Sequence, residues 1–163
     1  MTSTPSDTTT PVPAPQRIVV GVDGSAGSDA ALAWALRQAW AHGGSVTAVG
    51  SWQTPAMNGM AGYASYVDMS SYDLGGPTQE VLDKAVAAAS ADLPLGVTVP
   101  VTTRVVSGYP ARELLKAAAD AELLVVGSRG HGELSGMLLG SVGLHCVTHA
   151  TCPVVVVHPT PAS

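Results

Sequence analysis

The feature that most constrains this chain is an alternation. Short, continuously apolar runs rich in Val and Ile recur along it, with amphipathic stretches between them. Ile18-Val19-Val20-Gly21-Val22 is the first run. Ala30 to Ala41 follows, with Leu32, Leu36 and Ala39 or Trp40 at helical spacing; Ser25 or Ser28 can cap its start and His42-Gly43-Gly44 stops it. Val46–Ser51 reads as the second strand, and Thr78–Ala91 as a helix with Val81, Leu82, Ala85, Val86 and Ala89 on its apolar stripe. Val99–Val106 is the third strand, and Pro110 opens a third helix that runs to about Ala119. Leu123–Val126, a helix over Ser141–His149 ended by Cys152-Pro153, and Val154–Val157 complete the series. Strands without polar alternation need cover on both faces, and strands separated by helices run parallel with right-handed crossovers. The expectation is a single-domain α/β fold: a doubly wound five-stranded parallel sheet in the order 3-2-1-4-5, with helices on both faces.

Two segments fall outside this rhythm. Met1 to Gln16 hold five Thr, four Pro and two Ser without apolar periodicity. Such a stretch buries too little surface to offset its ordering entropy, so residues 1–16 are expected to be a disordered tail and the domain to span 17–159, with 160–163 a short second tail. Gln53 to Pro77 contains Met57, Met60, Met69, Tyr63, Tyr66 and Tyr72 among small residues. A loop of that length is a lid, a binding loop or a mobile insertion without a role.

Composition narrows the function. Seven Lys and Arg against twelve Asp and Glu give a net charge of −5, aromatic residues are 4% and Phe is absent. Neither a basic face for phosphates nor a stacking surface for bases is supplied, so nucleic acid is not an expected partner. No apolar stretch has the length of a membrane span, and no basic segment followed by an apolar one marks a secretory signal. Cys146 and Cys152 are too few for a disulfide framework and read as packing residues. The expected location is the cytoplasm.

The chemistry-bearing stretch is Gly127-Ser128-Arg129-Gly130, nine residues, then Gly140-Ser141-Val142. It joins the end of a buried strand to the start of a helix. Glycines let a ligand approach the backbone, and a helix start offers unpaired N–H groups and the positive end of the macrodipole. Together these suit a phosphate. The Ser141 hydroxyl can cap the helix and donate to a phosphate oxygen, and Arg129 can add a fork of donors, although a solvated loop arginine is an equal reading. The bland alternative, a tight connection only, leaves the three glycines and the serine without a common reason. Asp23 follows the first strand and, if the first and fourth strands are neighbours at the switch point, faces the same crevice. A carboxylate there suits ribose hydroxyls; it can also cap the first helix. Ser51 and Trp52 end the second strand, where a base can rest.

These residues carry a resemblance. Val20-Gly21-Val22-Asp23-Gly24-Ser25, Gly108-Tyr109-Pro110, and Gly-x2-Gly-x9-Gly-Ser before Cys152-Pro153 and four valines are similar to the universal stress protein family. The resemblance covers about Arg17 to Pro159. It implies an adenine nucleotide alpha hydrolase-like fold and, in the ATP-binding branch, phosphate and ribose contacts at Gly127, Arg129, Gly130, Gly140, Ser141 and Val142. It further implies adenosine at Asp23, adenine at Ser51, and a homodimer through the last strand, Val154–Val157. ATP is then the expected ligand, with Mg2+ or Mn2+ held mainly by phosphate oxygens because no Lys lies in the loop. A nucleotide-occupied regulator of stress or dormancy is the expectation. A slow ATP-hydrolysing or phosphotransfer enzyme and a nucleotide-free interaction module are the alternatives.

Other chemistries lack their signatures. There is no Gly-x4-Gly-Lys-Ser/Thr, Gly21-x2-Gly24-x2-Gly27 lacks the dinucleotide spacing, and no Gly-x-Ser-x-Gly elbow occurs. Efficient hydrolysis would need a positioned water and a charge clamp, and Arg129 is the one candidate. His145 and His149, four apart, read as surface histidines, and Trp34 and Trp40 as core or dimer contacts.

Overall fold

A computed structural model describes residues 16–53, 75–131 and 138–159. Residues 1–15 of the expected tail over 1–16, the greater part of the Met- and Tyr-rich insertion and residues 160–163 lie outside that set, while the Gln16 carbonyl accepts the Ser45 N–H at 2.8 Å. Nine elements alternate: β1 (Arg17–Gly21), α1 (Ala26–His42), β2 (Ser45–Trp52), α2 (Gly75–Ala91), β3 (Val101–Ser107), α3 (Pro110–Ala117), β4 (Leu123–Gly127), α4 (Ser141–His149) and β5 (Val154–Val157). The strands form one sheet in the order β3-β2-β1-β4-β5, every pair parallel. This is the expected doubly wound topology, and it follows from inner strands that are apolar on both faces, the edge strand β3 exposing Thr102 and Arg104.

Alternate residues of each strand serve opposite layers. Ile18 and Val20 of β1 join Leu32 and Leu36 of α1 and Leu82 of α2 in one core. Val19, Leu124 and Val126 join Leu114 of α3 and Cys146 of α4 in the other. Burial of one such leucine stabilises by about 1.5–3 kcal/mol. On α1 the apolar stripe is completed by Ala39, fully buried, while Trp40 is about half exposed and Trp34 packs against the core.

Several boundaries differ from the sequence expectation. Helix α1 begins at Ala26 rather than Ala30, because Ser25 is the cap and its hydroxyl accepts the Ser28 N–H at 3.2 Å. It ends at Gly43, whose φ of 64° is the left-handed conformation that terminates helices. Helix α2 takes in Gly75–Pro77, which the sequence assigned to the insertion. Strand β3 starts at Val101, since Pro100 has no N–H for the ladder and offers its carbonyl to Val46 instead. Helix α4 keeps the expected range Ser141–His149, ending on the extended Ala150 ahead of Cys152-Pro153. No described helix is long and apolar enough to cross a membrane.

Candidate functional site

The sheet changes direction at β1, which pairs with β2 on one side and β4 on the other. Beyond the carboxyl ends of these strands lies a cavity of about 380 Å³. In open α/β sheets this crevice is where ligands bind. All eight residues singled out in the sequence, Asp23, Ser51, Gly127, Arg129, Gly130, Gly140, Ser141 and Val142, line it.

One wall is the start of α4. Gly140 is its N-cap, with φ −69° and ψ 162°, and no side chain caps the helix. The Gly140 N–H donates to the Ser128 carbonyl at 2.8 Å, and the Ser128 N–H donates to the Val157 carbonyl at 2.7 Å. The buried Ser128 thus ties the β4 end to both β5 and the helix start. Ser141 is the first helical residue and not the cap; the capping role expected of its hydroxyl is not seen. Ser141, Val142 and Gly143 therefore bring an uncapped first turn to the cavity wall. A helix N-terminus carries the equivalent of about half a positive charge.

The turn after β1 supplies another part of the wall. Asp23 Oδ1 accepts the Ser25 N–H at 2.9 Å and the Ser25 hydroxyl at 2.6 Å, and Oδ2 accepts the His131 N–H at 3.2 Å. Burial pushes the carboxyl pKa up, but hydrogen bonds from Ser25, His131 and Ser28 outweigh it and hold the group below its ordinary value. Asp23 is an anion at neutral pH. It does not cap α1, a role that belongs to Ser25. It joins the turn after β1 to the loop after β4.

The glycines divide into two kinds. A Cβ at Gly127 would lie 2.6 Å from the Gly27 carbonyl carbon, and one at Gly27 would collide with the Arg129 carbonyl oxygen. These two let the first turn of α1 settle onto the end of β4. A Cβ at Gly130 would lie 2.5 Å from Asp23 Oδ2, so Gly130 shapes the pocket itself. Arg129 is exposed at the cavity rim, and its carbonyl accepts the Ser25 hydroxyl at 3.4 Å. Ser51 pairs in register with Val106 and reaches the cavity from β2, while the neighbouring Trp52 carbonyl accepts the Gly108 N–H at 2.9 Å.

The structure adds residues that the sequence reading did not place here. His131 lines the cavity, as do Pro110 and Leu114 of α3. Pro110 belonged to the quoted Gly108-Tyr109-Pro110 stretch, so its signal was present without a position. Leu114 accounts for Gly21, where a Cβ would come 2.8 Å from Leu114 Cδ1. His145 and His149 are not on the cavity wall; their rings stack with centroids 4.2 Å apart on exposed helix surface. Among the described residues, no three His, Cys, Asp or Glu side chains gather as a metal site.

The model of the universal stress protein family matches residues 15–158. The chain belongs to the universal stress protein family. Curated relatives include the universal stress protein Rv2005c of Mycobacterium tuberculosis, 36% identical over 150 residues that cover 89% of this chain and 47% of the relative. Another, from Mycolicibacterium smegmatis, is 37% identical over 144 residues, covering 86% of this chain and 47% of that protein. The chain spans about half the length of the curated relatives it matches. Among solved structures, a universal stress protein in complex with cAMP is 27% identical with a TM-score of 0.66, covering 91% of this chain and 100% of that one.

Proposed function

We propose that this universal stress protein binds ATP in the cavity between Asp23 and the start of α4. The observation that carries the reading is that one cavity, at the switch point of a parallel sheet, is lined by both an uncapped helix N-terminus and a fixed carboxylate. The first-turn amides and hydroxyl of Ser141, with Val142, Gly140, Gly127, Gly130 and Arg129, take phosphates and ribose. Asp23, which keeps unused lone pairs, takes ribose hydroxyls, and Ser51 lies where adenine rests. A family member crystallised with cAMP supports an adenine nucleotide here. Among the described residues the wall has no lysine and no cluster of metal-binding side chains. Mg2+ or Mn2+ would therefore be held mainly by phosphate oxygens, where it neutralises their charge.

The protein acts as a nucleotide-occupied cytoplasmic regulator in stress physiology, not as a rapid catalyst. Its assembly is a homodimer through β5, an edge strand of the sheet, whose Val154–Val157 are half-buried.

Acid extraction of protein purified directly from cells, followed by identification of the released nucleotide, tests the ligand. Gly140→Val tests the place, because the Gly140 backbone conformation is open to any residue while a side chain there obstructs the helix tip. The variant should fold and lose ATP. Tight ATP binding by folded Gly140→Val would remove the assigned site. Sustained turnover of Mg-ATP, lost in that variant, would favour an enzyme. Absence of both bound nucleotide and a thermal shift on adding ATP would favour an interaction module.

A further inference from the structure

We propose that His145 and His149 form a two-histidine site for a late first-row divalent ion, of the class of Zn2+, Ni2+ or Cu2+, on the exposed side of α4. Neither residue lines the cavity, so the site stands apart from the nucleotide reading. Side chains at i and i+4 of a helix lie one above the other on the same face. That spacing is the one that lets two imidazoles of a single helix hold zinc. Here the rings are already side by side, stacked with centroids 4.2 Å apart and planes 21° from parallel.

The surroundings pre-orient the pair. His149 Nδ1 lies 3.0 Å from the His145 carbonyl oxygen. A carbonyl only accepts, so Nδ1 carries the proton and donates, which leaves the Nε2 lone pair for a metal. Histidines that bind metals ordinarily make such a second contact, and it fixes tautomer and ring orientation together. The His145 ring has no hydrogen-bond partner among the described residues. A tetrahedral ion with Zn–N of about 2.0–2.1 Å sets two ligand nitrogens about 3.3 Å apart, which stacked rings reach by a small rotation. Both residues are exposed, so no packing opposes that rotation and water can complete the coordination. His149 is also the last residue of α4, where the macrodipole turns its negative end to a cation. Cys146 is buried in the core and the Thr148 hydroxyl donates to the Leu144 carbonyl at 2.7 Å, so the two imidazoles are the donors that α4 offers here. Nitrogen donors select this class of ion over Mg2+ and Ca2+, which prefer oxygen.

The test is Zn2+ binding by calorimetry to untagged wild type, His145→Ala, His149→Ala and a spacing variant that combines Val147→His with His149→Ala. The spacing variant keeps two histidines but sets them two apart, where they face different ways. Val147 and both histidines are exposed, so every variant should fold. Any bound nucleotide is common to all of these proteins, so the readout is the ratio between them. The wild type should bind Zn2+ about tenfold or more tightly than each of the three variants, because the second imidazole then acts within one molecule. Excess Mg2+ should leave that ratio unchanged. His42→Ala, which removes an exposed histidine outside the pair, should keep wild-type affinity. Wild-type affinity in the spacing variant or in either single variant would place Zn2+ elsewhere and overturn the inference. Failure of the wild type to bind Zn2+ would overturn it as well, and neither result touches the nucleotide reading.

Discussion

A Cβ on Gly130 would come within 2.5 Å of the Asp23 carboxylate oxygen Oδ2. The same oxygen holds the His131 N–H, so the loop after β4 closes over the turn after β1 only because position 130 has no side chain. Two segments 108 residues apart thus become one wall.

Gly130→Ala should therefore part Asp23 from His131 without unfolding the protein. Gly130 lies in an exposed loop, so the melting temperature should fall only slightly, whereas ATP affinity should fall about tenfold through misplacement of both groups. Calorimetric binding beside a melting curve separates the two effects. Wild-type affinity in this variant would show that the close approach does not shape the site.

Gly127→Ala should behave in the opposite way. The added Cβ meets the backbone of Gly27, 2.6 Å from its carbonyl carbon and 2.7 Å from its oxygen, and backbone cannot swing aside as a side-chain tip can. Helix α1 would have to lift from the end of β4, at about 1–3 kcal/mol. Urea unfolding should show this loss without any ligand present. Unchanged stability would mean that the α1–β4 contact is looser than the geometry indicates. Substitution here is consequently a poor test of nucleotide contact, and Gly140 is the better position.

What the sequence disclosed and what it hid divide along physical lines. The inner strands are legible because they are buried on both faces, which enforces unbroken runs such as Leu123–Val126, while the edge strand β3 exposes Thr102 and Arg104 and is marked by its β-branched residues instead. Their order follows from parallel crossovers. The early start of α1 was obscured because Ala26 and Gly27 look like loop. Gly27 is helical there and also required by the Arg129 carbonyl, a contact 102 positions away that no local pattern records. The glycine spacing marked the loop that lines the cavity, since backbone approach and helix start leave a mark in residue type. His131 carried no such mark. Its place on the wall depends on one hydrogen bond to Asp23, and its side-chain identity says nothing of that.

Acidification should expose the Asp23 network. The folded-state pKa of this carboxyl is lowered, because hydrogen bonds from Ser25 and His131 outweigh burial. Its contribution to stability is therefore present above the unfolded-state value of about 3.9 and is lost as pH falls through the lower folded value. Asp23→Asn should be less stable than the wild type at neutral pH, and the difference should shrink as pH drops below about 4. Urea midpoints for both proteins across that range give the comparison. A constant gap would mean that the charge of Asp23 is not what holds the turn.

Thiol reactivity should separate the two cysteines. Cys146 is fully buried in the core between the sheet and α3 and α4, and burial pushes its thiol up to about 11. Cys152 is half-buried after the end of α4. The thiolate is the reactive form, so at about pH 8 Cys146 in the native protein is nearly all thiol and shielded from reagent as well. Alkylation followed by peptide mass analysis should label Cys152 first and Cys146 at least about tenfold more slowly, with the difference abolished in denaturant. Equal native rates would mean that α4 leaves the sheet often enough to open the core. Because the first turn of α4 forms part of the cavity wall, such opening would also loosen the proposed ligand. ATP should accordingly slow whatever labelling of Cys146 remains, by the factor that binding adds to the folded state.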